Sequence, residues 1–303
     1  MKNHPINLTE FEKEFNTEEH CRDYLFKLRW EDGYHCPRCQ CDKAWLVGEI
    51  KYKCHNCGYQ TSVIAGTIFQ DTHKPLTLWF RAIWYVTSQK NGTSALNLQR
   101  ILGLGSYETA WTWLHKIRRA MVRQGRDKLH GIVEVDEAFI GAPGKGGKRG
   151  RGAENKVLVV VAVEISDKKI GRIRMGIIDS ASSENLHGFI EATIEKGSTI
   201  VTDGWCGYNG LREKGYTQET KKRKTEDGAT LLPHVHTVIS LLKRWLLGTL
   251  QGSCSKDHIA YYLEEYTFRF NRRKSKSRGM LFYRLLQNAV QLQPTSYEDI
   301  IAK

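Results

Sequence analysis

Apolar residues recur at helical spacing at both ends of the chain and at strand spacing in the middle. Leu8, Phe11 and Phe15, then Cys21, Tyr24, Leu25 and Leu28, follow the helical period over residues 1–30, with Thr17-Glu18-Glu19 placed as a helix start. From Pro75, which suits a first helical position, Leu78, Trp79, Ala82, Ile83 and Val86 share one face. Ser94–Leu102 reads as a short helix, Gly103-Leu104-Gly105 as a break, and Ser106–Arg123 as a longer helix with Tyr107, Trp111, Leu114, Ile117 and Met121 in its stripe. After Gln124-Gly125-Arg126 the period drops to two. Strands are expected over Ile132–Ile140, Lys156–Ile165, Ile170–Ile178 and Ser198–Asp203, with a short one over Tyr216–Thr220. Ser183–Ile194 is an amphipathic helix, and helices return over His236–Leu250, Lys256–Phe270 and near Leu281–Val290.

Three meandering strands, a helix, then alternation is the ribonuclease-H-like order. The fold class expected is therefore α+β / α/β and multidomain, ending in a mixed five-stranded sheet with helices. Boundaries follow the changes of period: a helical segment (1–30), a cysteine-bearing ribbon (31–70), a helical segment resembling a helix-turn-helix (71–126), the sheet domain (127–292) and a tail (293–303). The glycine-rich basic run 141–152 is expected to be a mobile loop. The helical pair 94–123 fits DNA contact through Lys116, Arg118, Arg119 and Arg123, and equally an ordinary hairpin with tryptophans in its core.

Composition narrows the class. A chain that is 40% hydrophobic and 26% charged is not wholly disordered, and its longest apolar run, Val157–Val163, is too short to span a membrane. The first residues lack an apolar signal region, so a cytoplasmic, DNA-associated location is expected. A net charge of +13 suits a polyanionic partner. Four of the eight cysteines form two CxxC knuckles, Cys36–Cys39 and Cys54–Cys57, with fourteen residues between them. Two knuckles supply four thiolates for one tetrahedral Zn²⁺, and with reduced thiols expected, this spacing reads as a metal site and not a disulfide scaffold. Cys21, Cys41, Cys206 and Cys254 show no pattern. The zinc ribbon either touches DNA or only staples a small module.

Two carboxylates stand out. Asp136 shares one face of its strand with Glu134, an arrangement costly in a central strand unless a cation compensates. Asp203 ends the fourth strand, where the chain turns at Gly204. In this topology strands one and four are neighbours, so the two aspartates converge, and such hard oxygen ligands suit Mg²⁺ or Mn²⁺.

The ribbon, the basic helical segment, Val133-Glu-Val-Asp-Glu137, Val201-Thr-Asp-Gly204, Pro233–Trp245 and Phe268–Arg273 together resemble one family. It is that of insertion-sequence transposases with an N-terminal zinc ribbon and a DDE-type nuclease domain, of the ISXO-two-like group. The resemblance implies a DNA transposase that binds terminal inverted repeats and performs metal-dependent strand cleavage and transfer, on double-stranded DNA, as a homodimer or larger. It places Asp136 and Asp203 at the first two catalytic positions and His236, in place of the usual glutamate, at the third. Lys243, seven residues on, shares the face of His236. His234 and His236 are two apart, so only one is expected at the site. Lys221, Lys222, Arg223, Lys224, Arg244, Arg272 and Arg273 are candidate phosphate contacts, although a Lys-Arg pair on a helix equally suits plain solvent exposure. The runner-up is a zinc-ribbon DNA-binding protein with an inactive, domesticated nuclease domain.

Overall fold

The computed structural model describes residues 4–123, 125–141, 156–221, 231–250 and 256–302. The chain forms two compact units, one of residues 1–123 together with 275–303 and the other of residues 124–274.

The first unit opens with α1 (Leu8–Glu14) and α2 (Glu18–Arg29). Asn7 and the anticipated Thr17 cap them, each side chain accepting an amide from the first turn. The ribbon follows as an antiparallel meander, β1 (Ala44–Val47), β2 (Lys51–Cys54) and β3 (Gln60–Ser62). Next comes α3 (Leu76–Ser88), which starts one residue after Pro75 and has no side-chain cap of its own. Its leading amides, those of Leu76 and Thr77, donate instead to the two carboxylate oxygens of Glu18, each at 2.8 Å. α4 (Ala95–Leu102) and α5 (Tyr107–Ala120) flank a turn in which Gly103 sits at φ 63°, the left-handed conformation that glycine adopts without strain.

The second unit is built on one sheet: β4 (Ile132–Ile140), β5 (Val157–Ser166) and β6 (Lys169–Ile178) meander antiparallel, then β7 (Thr199–Thr202) and β8 (Thr217–Thr220) join in parallel beyond β4. The resulting order β6-β5-β4-β7-β8 is the ribonuclease-H-like arrangement. α6 (Ser183–Thr193) supplies the crossover. Residues 157–163 of β5 are buried on both faces, which explains their uninterrupted apolar run. On one face Val159, Val161 and Val163 pack with Val235, Val238, Ile239 and Leu242 of α7 (Pro233–Leu250) and with Tyr262 and Tyr266 of α8 (Ile259–Asn271). On the other, Val133, Val135, Val160 and Ala162 pack with Leu186 and Ile190 of α6 and with Tyr208.

The chain then returns to the first unit as α9 (Arg278–Ala289) and α10 (Tyr297–Ile301). This moves the end of the sheet domain from the expected 292 back to residue 274. The cause is aromatic packing: Phe282 is fully buried, with its ring 5.5 to 5.7 Å from those of Phe11, Phe15, Phe80 and Trp84. The glycine-rich run from residue 142 onward, the basic residues Lys222, Arg223 and Lys224, and Cys254 lie outside the described residues.

Candidate active site and metal-ligand clusters

The thiols of Cys36, Cys39, Cys54 and Cys57 lie within 4.8 Å of one another. Two positive-φ residues after the knuckles, Gln40 and Gly58, let each loop close, with Gln40 and Gly58 amides donating to the Cys36 and Cys54 carbonyls. Burial raises the Cys36 thiol, yet the amides of Arg38 and Cys39 facing its sulfur bring it net below the ordinary value and favour the thiolate. Such a quartet matches the tetrahedral, all-sulfur ligand set of a structural zinc ribbon. Cys41 stays out of it; its backbone carbonyl accepts from Cys36, and its thiol faces the Lys43 carbonyl at 3.8 Å.

The second cluster follows from strand register. β4 and β7 run parallel with Glu134 opposite Val201, so two residues further on Asp136, midway along β4, stands level with Asp203, just past the end of β7. Gly204, at φ 88°, makes the turn that follows, and the Asp203 carboxylate accepts the Trp205 amide at 2.9 Å. Trp205 is anchored in turn by its indole N–H on the Ala181 carbonyl at 2.8 Å. His236, on the first turns of α7, brings Nε2 to 3.0 Å from Asp136 Oδ2, while Asp136 Oδ1 accepts the Glu137 amide at 2.9 Å. Burial pushes the Asp136 carboxyl above its usual range, and the nearby Asp203 charge adds to this against the opposing pull of the Glu137 amide and His236.

That imbalance tests whether a divalent cation fits. Two hard carboxylates level on neighbouring strands, one held above its normal pKa by desolvation and a like charge, form a donor set that a cation would relieve, and an imidazole stands beside it. Among the described residues only the cysteine quartet brings three or more potential ligand atoms within 4.8 Å.

Both histidines of Pro233-His-Val-His236 reach β4, but only His236 meets Asp136; His234 pairs with Glu134 instead. His234 Nδ1 lies 2.7 Å from Glu134 Oε1, and the His234 and Val235 amides donate to Glu134 Oε2, each at 2.9 Å. Glu134, only 3% exposed, is thus compensated by three N–H groups at a helix start. On the opposite face Glu137 accepts the Tyr208 hydroxyl at 2.7 Å.

The proposed phosphate contacts divide. Lys221, Lys243 and Arg244 are exposed, while Lys116 and Arg119 are partly covered. Arg118 is 2% exposed, because its position on α5 faces the interior, and it is no surface cation. Arg272 lies over the Phe268 ring at 4.2 Å, and Arg273 donates to the Ile170 and Gly171 carbonyls, tying the end of α8 to β6. Glu265 is buried against Arg269 at 2.7 Å within α8 and does not reach the Asp136 cluster as a third acid.

Residues 16–60 match the transposase zinc-ribbon domain, and residues 128–271 match the ISXO2-like transposase domain. The two domains, in this order, span more than half of the chain. The chain belongs to the ISXO2-like insertion-sequence transposases. A protein of transposable element ISH50 from Halobacterium salinarum is 27% identical over 279 residues, covering 85% of this transposase and 92% of that protein. Among solved structures, the transposase aligns with a Mos1 transposase paired-end complex at 11% identity, with 77% of this chain and 81% of that one covered and a TM-score of 0.32. It also aligns with a simian T-cell lymphotropic virus intasome at 11% identity and a TM-score of 0.31, covering 60% of this chain and 66% of that chain. No helix among the described residues is long and apolar enough to cross a membrane.

Proposed function

We propose that this transposase cuts and joins double-stranded DNA at its element's ends in a divalent-metal-dependent reaction, with Asp136 and Asp203 as the metal-holding pair and His236 as the third group of the site. The observation that carries the reading is the β4–β7 register, which sets the two carboxylates side by side and level with the start of α7. Mg²⁺ or Mn²⁺, two ions when bound, would supply Lewis-acid stabilisation of the charge developing on the scissile phosphate. Asp136 and Asp203 would hold them by carboxylate oxygens. His236 orients Asp136 by the bond at Oδ2 and offers its imidazole as a further ligand. Trp205 holds the Asp203 carboxylate in one rotamer through its backbone amide. Lys243, exposed two helical turns beyond His236, neutralises a phosphate oxygen, and Arg244 and Lys221 add salt-sensitive contacts along the DNA backbone.

Recognition of the terminal repeats belongs to residues 20–125, with Lys116 and Arg119 as phosphate contacts; Lys222, Arg223 and Lys224, which follow Lys221 in sequence, are further candidate phosphate contacts. A structural Zn²⁺ on the four cysteines keeps the ribbon folded. Bringing two element ends together requires at least two copies of the chain in the active complex.

Strand cleavage of a duplex carrying the element's terminal repeat tests the assignment. Asp136→Asn and Asp203→Asn should each cut ~100-fold or more slowly while binding the same duplex as the wild type does. Wild-type cleavage by either variant would overturn it.

A further inference from the structure

Glu134 and Asp136 stand two residues apart on one face of β4; His234 and His236 stand two residues apart at the start of α7. The four side chains pair rung by rung, Glu134 with His234 at 2.7 Å and Asp136 with His236 at 3.0 Å. The lower rung is the more buried, with side-chain exposures of 4% for Glu134 and 27% for His234, against 16% and 45% for the upper one. It also holds the helix backbone, since the Glu134 carboxylate takes the first two helical amides after Pro233.

We infer that Glu134 is a positioning residue for His236, fixing α7 along its axis so that the His236 imidazole meets Asp136; this rests on the reading of His236 as an active-site group. The apolar stripe Val235, Val238, Ile239, Leu242 and Leu246 fixes which side of α7 faces the sheet, but it repeats along the helix. A stripe of that kind resists rotation better than sliding, and a slide of about one turn, ~5.4 Å, would carry His236 clear of Asp136. A polar lock at the helix end removes that freedom.

A helix cap alone does not require this arrangement. Leu232, the residue before Pro233, offers no side-chain acceptor, and a serine or aspartate at that point would cap the helix locally without burying a distant charge. Placing the carboxylate on β4, two residues from Asp136, does what a local cap cannot: it refers the helix start to the strand that carries the catalytic aspartate. The desolvation of Glu134 is offset by three N–H partners, two of them at the positive end of the helix dipole.

The test uses the full chain. Imidazole ¹H–¹⁵N correlation spectra of the metal-free protein report the pairing of His236, and Mn²⁺ titration reports the affinity of the site. Glu134→Gln should keep a cooperative thermal transition, move the His236 ring signals toward those of a solvated imidazole, and weaken Mn²⁺ binding about 10-fold or more. His234→Asn, which leaves both backbone bonds to Glu134, should do the same to a smaller degree and provides the readout if the glutamine variant fails to fold. In a His236→Ala background Glu134→Gln should cause no further loss of Mn²⁺ affinity. Unchanged His236 signals and Mn²⁺ affinity in Glu134→Gln, or in His234→Asn if the first does not fold, would overturn the inference. So would a loss that persists without His236. If His236→Ala itself cleaved DNA and bound Mn²⁺ as the wild type does, the reading of His236 beneath the inference would fail instead.

Discussion

Asp136 is destabilising where it stands. Burial and the neighbouring Asp203 raise its pKa in the folded chain above the unfolded value, so the fold favours the protonated form. The associated stability is fully present below the unfolded pKa and is lost as pH rises through the folded one, which leaves the metal-free protein strained at neutral pH. Asp136→Asn should therefore unfold at a higher temperature than the wild type at pH 7 without divalent ions, even though it no longer cleaves DNA. Calorimetry across pH 4 to 7 checks the sign, because the gap between the two proteins should narrow as the solution is acidified. The thiols carry a parallel expectation. Cys54→Ser removes one of four converging ligands, and bound zinc should fall from about one per chain towards zero, with the ribbon losing its folded signal; metal analysis showing full zinc would contradict the quartet.

Two helices share a device at the element scale. α3 starts just after a proline and α7 at one; both lack a side-chain acceptor just before their first turn and receive a carboxylate from far along the chain: Glu18 at Leu76 and Thr77, Glu134 at His234 and Val235. Each remote cap joins residues that stand 58 or more positions apart in the chain. Glu18→Ala should cost about 1–2 kcal/mol, measured by urea unfolding, with a matching Glu18→Gln loss that is smaller because one oxygen still accepts. Helices with local caps behaved as their residues suggest. Thr17, Ser94 and Ser106 each accept an amide three residues on, and those starts were legible in advance. The remote caps were not, since no periodicity marks a glutamate as the partner of a helix start dozens of residues away.

For the whole molecule, α9 matters most. It closes the aromatic cluster of the first unit although it follows the entire sheet domain in sequence. Phe282→Ala should lower the stability of that unit by about 3–5 kcal/mol in chemical denaturation, because its ring is fully buried among four others. A loss below about 1 kcal/mol would show that the cluster repacks around the gap.

The amino-acid order alone determined the local features: strand and helix periods, the two thiol knuckles, the cationic surplus, and the ordered motifs that mark a zinc-ribbon transposase. These depend on neighbours a few residues apart, where spacing dictates which side chains share a face. Tertiary structure decided which charges are spent within the fold and which remain for a ligand. Glu134 and Asp136 look alike in Val133-Glu-Val-Asp-Glu137, yet the first is consumed by the start of α7 and the second stands beside Asp203. Arg118, Arg272 and Arg273 all count toward the net charge, but Arg118 is buried, half-buried Arg272 lies over the Phe268 ring, and exposed Arg273 is engaged by backbone carbonyls of β6. The reason is physical: burial and hydrogen-bond partners are set by contacts between distant segments, and the cost of an unpartnered buried charge assigns each such group its role only once those segments meet.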